Sequence, residues 1–96
     1  MGMKQAYEEK LQAQLNELDA KINELKAKAE KSEADAKIEY HKEIDKLEVM
    51  QKEAKDKLND LKAASDDAWE DLKAGADNAW ESLSSAVKAA TSRFSS

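Results

Sequence analysis

An all-α protein is the expectation for this chain, and three observations carry it. Charged residues of both signs make up 39% of the 96 positions, and Ala, Glu, Lys and Leu dominate, a composition typical of long helices and coiled coils. Proline is absent and glycine stands only at Gly2 and Gly75, so the usual turn chemistry is nearly missing. The apolar residues recur at helical spacing, not in the alternation of a half-buried strand. Seventeen of the hydrophobic residues are alanine, which leaves few large side chains for a core, and small chains bury surface inefficiently. The expected architecture is one long, mostly continuous helix. It would form an oligomeric coiled coil or helical bundle, a single domain over residues 1–96.

Three segments differ in period. Over residues 4–29 the apolar step alternates four and three through Leu11, Leu15, Leu18, Ile22, Leu25 and Ala29. This is a heptad seam, which imposes a left-handed supercoil on partner helices. Carrying that register onward would put Ser32, Glu39 and Glu43 in the seam, so it fails. Residues 30–40 read as an alanine-rich neck with a phase shift, after which apolar spacing resumes through Tyr40, Ile44 and Leu47.

Residues 41–96 follow an eleven-residue repeat. Its aligned copies are Glu53–Ala63, Ala64–Ala74, Gly75–Ser85 and Ala86–Ser96. Leu58, Trp69 and Trp80 occupy one position of the repeat, and Leu61, Leu72, Leu83 and Phe94 another. Eleven residues in three turns is close to a straight helix, so this half should run straight or coil weakly to the right. The proposed oligomer seam is Leu11, Leu15, Leu18, Ile22 and Leu25, continued by Leu47, Leu58, Leu61, Trp69, Leu72, Trp80, Leu83 and Phe94. Acid-before-base pairs at i, i+4, such as Glu17–Lys21, Glu24–Lys28 and Glu48–Lys52, support the helix from its surface. Breaks are conceivable at the capping-box patterns Asp67-x-x-Glu70 and Asn78-x-x-Glu81 and at Gly75. The repeat runs through all of them, which favours an uninterrupted helix of about 140 Å at 1.5 Å per residue.

Several functions are disfavoured. A net charge of −5 opposes nucleic-acid binding, which rests on basic residues neutralising phosphates. With no cysteine there is no disulfide, thiolate metal site or cysteine nucleophile. His41 is the only histidine, and a rod offers it no pocket or orienting partner. No catalytic residue, cofactor, metal ligand or small-molecule substrate is assigned. The acids Asp66, Asp67, Glu70 and Asp71 read as a solvated face, because a calcium or magnesium site normally uses loop carbonyls and more ligands. No apolar run reaches the length of a membrane span and no secretion signal is visible, so a cytoplasmic location is expected.

Trp69 and Trp80 are the most informative pair. One flank of their seam carries Ala64, Ala68, Gly75, Ala79, Ala86 and Ala90, small residues that suit close helix packing beside a bulky indole. Tryptophan also favours the membrane interface. However, residues 63–96 hold three basic against six acidic side chains, the wrong balance for anionic bilayers.

The stretch Asp66–Phe94, DDAWEDLKAGADNAWESLSSAVKAATSRF, resembles the tail of a family of short bacterial coiled-coil proteins. The Leu/Ala/Lys/Glu-rich remainder is similar to them in style. That resemblance implies bacterial origin and helical form and supplies no functional residues. More loosely, the eleven-residue repeats resemble apolipoprotein-like and desiccation-protectant helices, although the latter lack such tryptophans and such a seam. The expected function is non-enzymatic: structural self-assembly through homo-oligomeric packing, extending to filaments if unlike halves overlap without closing. The alternative is a peripheral membrane or stress-protective protein whose C-terminal amphipathic helix binds lipid. A third class is an adaptor whose acidic tail docks a larger partner.

Overall fold

The computed structural model describes residues 2–94, and within them the chain makes three helices and no strand. Met1 and the last two residues of the expected 41–96 segment lie outside the described residues. Helix α1 spans Met3–Lys31, α2 Ala34–Ala63 and α3 Trp69–Arg93. The single continuous helix is therefore corrected: the chain turns back twice and packs its helices side by side, measuring 51 × 19 × 17 Å. Cross-helix contacts fix the topology. Lys4 at the start of α1 donates to the Lys62 carbonyl at the end of α2, so these two run antiparallel. Tyr7 meets Lys73 and Asp77 near the start of α3, making α1 and α3 parallel. Arg93 reaches Glu39 and Glu43 near the start of α2.

The turns use little specialised chemistry. Only Ser32 and Glu33 separate α1 from α2, both extended, with φ −86° and −70°. The Ser32 hydroxyl donates to the Ala29 carbonyl at 2.7 Å, satisfying one of the orphan acceptors at the helix end. The expected neck thus contains a hairpin turn. The second turn occupies residues 64–68, where Ala64 is extended. The Ser65 carbonyl accepts from the Trp69 N–H and its hydroxyl from the Ala68 N–H. Ser65 therefore organises the turn that leads into α3, and the acids Glu70 and Asp71 in the first turn of α3 complement the positive end of the helix dipole. The capping-box pattern at Asp67 lay beside a real break. Gly75 and Asn78 lie inside α3, and a Cβ added at Gly75 would meet nothing within 4 Å. Close approach of a neighbouring helix at Gly75, expected from the small-residue flank, does not occur.

All three helices present four-three seams. In α1 the buried residues are Leu11, Leu15, Leu18, Ile22, Leu25 and Ala29, and in α2 Tyr40, Ile44, Leu47, Ala54, Leu58 and Leu61. In α3, Trp69, Ala76, Leu83, Val87 and Ala90 are buried, with half-buried Trp80 and Phe94 completing the step. The eleven-residue repeat is thereby corrected to two heptad runs. Seven plus four is eleven, so Leu47 to Leu58, Trp69 to Trp80 and Leu83 to Phe94 are steps inside a heptad. Between runs, each turn inserts one extra residue into the register.

That insertion has a geometric effect. A heptad drifts back about 20° per repeat on an ideal helix, and one extra residue advances it by about 100°. Placed on a single imaginary helix, all the buried residues fall within an arc of about 100°. The stripe therefore does not record where the chain folds.

Leu61 and Leu72 stand eleven residues apart but differ in burial, at 0% and 39% exposure. Leu61→Ala should destabilise the fold by about 2–5 kcal/mol, and Leu72→Ala by about 1 kcal/mol or less. Urea denaturation checks this, and equal losses would restore the continuous eleven-residue seam.

Candidate functional site

The core is built wholly from apolar side chains; no polar or charged side chain is buried among the described residues. Of the thirteen expected seam residues, ten are fully buried in it: Leu11, Leu15, Leu18, Ile22, Leu25, Leu47, Leu58, Leu61, Trp69 and Leu83. Trp80 and Phe94 pack against it half-buried, and Leu72 alone is exposed. These residues come together between helices of the same chain. The two indoles are not equivalent: Trp69 is 6% exposed, whereas Trp80 is half-buried with its Nε1 hydrogen enclosed and unpartnered.

A polar cluster ties α1 to α3 near their N-terminal ends. The Tyr7 hydroxyl donates to an Asp77 carboxylate oxygen and approaches the Lys73 carbonyl at 3.3 Å. Its ring lies 5.8 Å from that of Trp69 and under the Lys73 ammonium, a cation–π geometry. Burial first, then the hydrogen bond to Asp77 and its negative charge, pushes the Tyr7 phenol well above its ordinary value. The neutral phenol is the form that can donate to a carboxylate.

A second cluster closes the other end. Arg93, the only arginine, bonds Glu43 at 2.9 Å and Glu39 at 3.1 Å, gripping two acids one turn apart. Beside it the Phe94 and Tyr40 rings stack at 4.0 Å. Midway, Asp19 accepts from Gln51 and pairs with Lys55, and Lys26 pairs with Glu48. Glu48 thus reaches across to α1, and Lys52 on its own helix is not its partner. Exposed pairs of this kind contribute about 0–1 kcal/mol each, so they set register more than stability.

Little else offers chemistry. His41 is exposed. Among the described residues no group of three His, Cys, Asp or Glu is placed to hold a metal ion. Asp66, Asp67, Glu70 and Asp71 are all exposed around the second turn. The surface depressions are open grooves: one is lined by Gln5, Glu8, Gln12, Asn16 and Lys62, another by Lys21, Glu24, Val87 and Thr91. Among the described residues no helix is long and apolar enough to cross a membrane.

Sequence reasoning missed the Tyr7–Asp77 and Arg93–Glu39–Glu43 clusters. Each joins residues fifty or more positions apart, and only the turns bring them together. A solitary arginine next to Phe94 was the one available signal. No known protein family, curated protein or solved structure matches the chain.

The raised phenol gives a signed pH dependence. An unfolded tyrosine loses its proton near pH 10, while folding holds Tyr7 neutral. Its contribution is complete below about pH 10 and lost progressively above it. Tyr7→Phe should lower stability at pH 8 by about 1 kcal/mol, with the gap to wild type narrowing between pH 10 and 11.5. Thermal melts at matched pH check this, and a gap that widens with pH would contradict it.

Proposed function

We propose that this protein is a non-enzymatic structural module that acts by helix packing, assembling with further copies of itself. One observation carries the reading: a single apolar arc supplies every buried side chain of the described residues. Such a stripe is a helix-packing surface whether its cover comes from the same chain or from another. The groups that flank it set alignment. Tyr7 with Asp77, Arg93 with Glu39 and Glu43, and Asp19 with Lys55 match donors to acceptors at three levels along the rod. The groove between α1 and the end of α2 is lined mainly by long charged and amide side chains, Gln5, Glu8, Gln12, Asn16 and Lys62 among them.

A second reading, a helix that settles on a lipid surface, is favoured by one feature of α3. The enclosed, unpartnered N–H of Trp80 would find acceptors at the headgroup level, where tryptophan concentrates. The excess of acids over bases along residues 63–96 weighs against anionic membranes, so zwitterionic vesicles are the informative probe.

Light scattering coupled to size exclusion, from micromolar to millimolar chain, tests the first reading. The mass should rise from 10.7 kDa toward a small multiple. A constant 10.7 kDa mass, together with a blue shift of tryptophan fluorescence on zwitterionic vesicles, would replace it with the lipid reading.

A further inference from the structure

The α1–α2 turn is built unlike a committed hairpin. Ser32 and Glu33 are its only non-helical residues, and both hold extended angles that demand neither glycine nor proline. No residue has positive φ among those described. The surrounding sequence, KAKAEKSEADAK from Lys26 to Lys37, consists almost entirely of strong helix formers. Glu33 makes no side-chain cap on α2, which leaves its first N–H groups without one of the usual partners. Between Ala29 and Tyr40 no side chain is buried, and the cluster at this end, Arg93 with Glu39 and Glu43 and Phe94 on Tyr40, joins α3 to α2 without holding α1. Helix packing farther along the chain holds the hairpin closed.

Straightening the turn would restore the i to i−4 backbone bonds that it interrupts and would forfeit only the Ser32 cap on Ala29. It also preserves the seam. Ala29 and Tyr40 are eleven residues apart, three helical turns to within about 20°. The buried faces of α1 and α2 would then lie on one side of a helix of about 90 Å. That helix leaves α1 projecting away from its own α2 and α3, with its apolar face uncovered.

We propose that this turn opens into continuous helix and that two copies exchange α1, each α1 docking on the α2–α3 pair of the other copy. The inference rests on the reading that copies assemble by helix packing, and it names the exchanged segment. Tyr7 with Asp77, Lys4 with the Lys62 carbonyl, Asp19 with Gln51 and Lys55, and Lys26 with Glu48 reform between copies unchanged. The seam therefore needs no new complementary chemistry, which is what makes a second copy the fitting occupant. The two necks must pass each other; the stripe of a continuous helix carries Ala29, Glu33 and Ala36 there, and the two alanines are small enough for close approach. Short hinges are the known route to such exchange.

Two hinge variants test the proposal on the full chain, each refolded from concentrated solution and resolved by size exclusion with light scattering. Glu33→Pro fits the closed turn, because φ is −70° there and Ser32 before it is extended. The same proline breaks a continuous helix through residue 33. It should leave helicity and melting temperature near wild type while cutting the dimer by more than about ten-fold. Ser32→Ala removes the cap and favours helix, and should raise the dimer several-fold. In a dimer of isotope-labelled and unlabelled copies, a Tyr7–Trp69 ring contact should appear between chains. A dimer undiminished by Glu33→Pro, or one lacking that interchain contact, overturns the exchange while leaving assembly by surface packing intact. A wild type and Ser32→Ala variant that both stay monomeric overturn the exchange and the self-assembly reading together.

Discussion

An apolar stripe about 100° wide on an otherwise charged helix cannot remain in water. Every other feature of the molecule follows from how that stripe is covered. One helix alone cannot cover it. Three helices of similar length, Met3–Lys31, Ala34–Ala63 and Trp69–Arg93, close around it completely enough to bury five to six residues each. Alanine at 29, 54, 76 and 90 places small side chains in the core among the leucines and Trp69, which lets close-packed helices approach. No residue of polar or charged type is buried among the described residues, so the enclosed N–H of Trp80 is the one unpartnered side-chain group whose desolvation the core must offset. The core is apolar throughout, and its specificity comes from shape and from the charges at its edge.

Those edge charges discriminate among alternative alignments. Arg93 can grip Glu39 and Glu43 only when the end of α3 lies beside the start of α2. Tyr7 reaches Asp77 only when α1 and α3 run parallel at the other end. A slip of α1 or α3 by one turn would keep apolar seams facing apolar seams but would break these contacts. The Tyr7 phenol, held neutral by burial and by its bond to Asp77, is the most specific of them, since a charged phenolate there would repel its own partner.

Much of the core was legible because heptad spacing survives any choice of partner. Leu11 to Ala29 reads the same in an oligomer and in a hairpin. What the sequence could not convey was where the rod folds. Each turn adds one residue to the register, which returns the drifting heptad stripe to the same side of an imaginary straight helix. Leu58, Trp69 and Trp80 therefore look like one eleven-residue seam, although the second turn lies between the first two. Leu72 is the residue that betrays the difference, belonging to the repeat but not to the core. The turns themselves gave weak signals, since Ser32–Glu33 and Ala64–Ser65 are as compatible with helix as with a bend. Ser65, followed by Asp66, Asp67, Glu70 and Asp71, was the clearest start signal, but the capping-box pattern two residues on at Asp67 was outweighed by the repeat that runs through it. Tyr7–Asp77 and the Arg93 grip were invisible for a related reason. Their partners become neighbours only after both turns have formed.

Small-angle X-ray scattering on dilute monomer tests the central claim that the stripe is closed within a single chain. The account requires a radius of gyration close to the 15.4 Å of the Cα trace, with a longest dimension near 51 Å plus side chains and hydration. A scattering profile of a thin rod approaching 140 Å, the length of 96 residues in one helix, would contradict it.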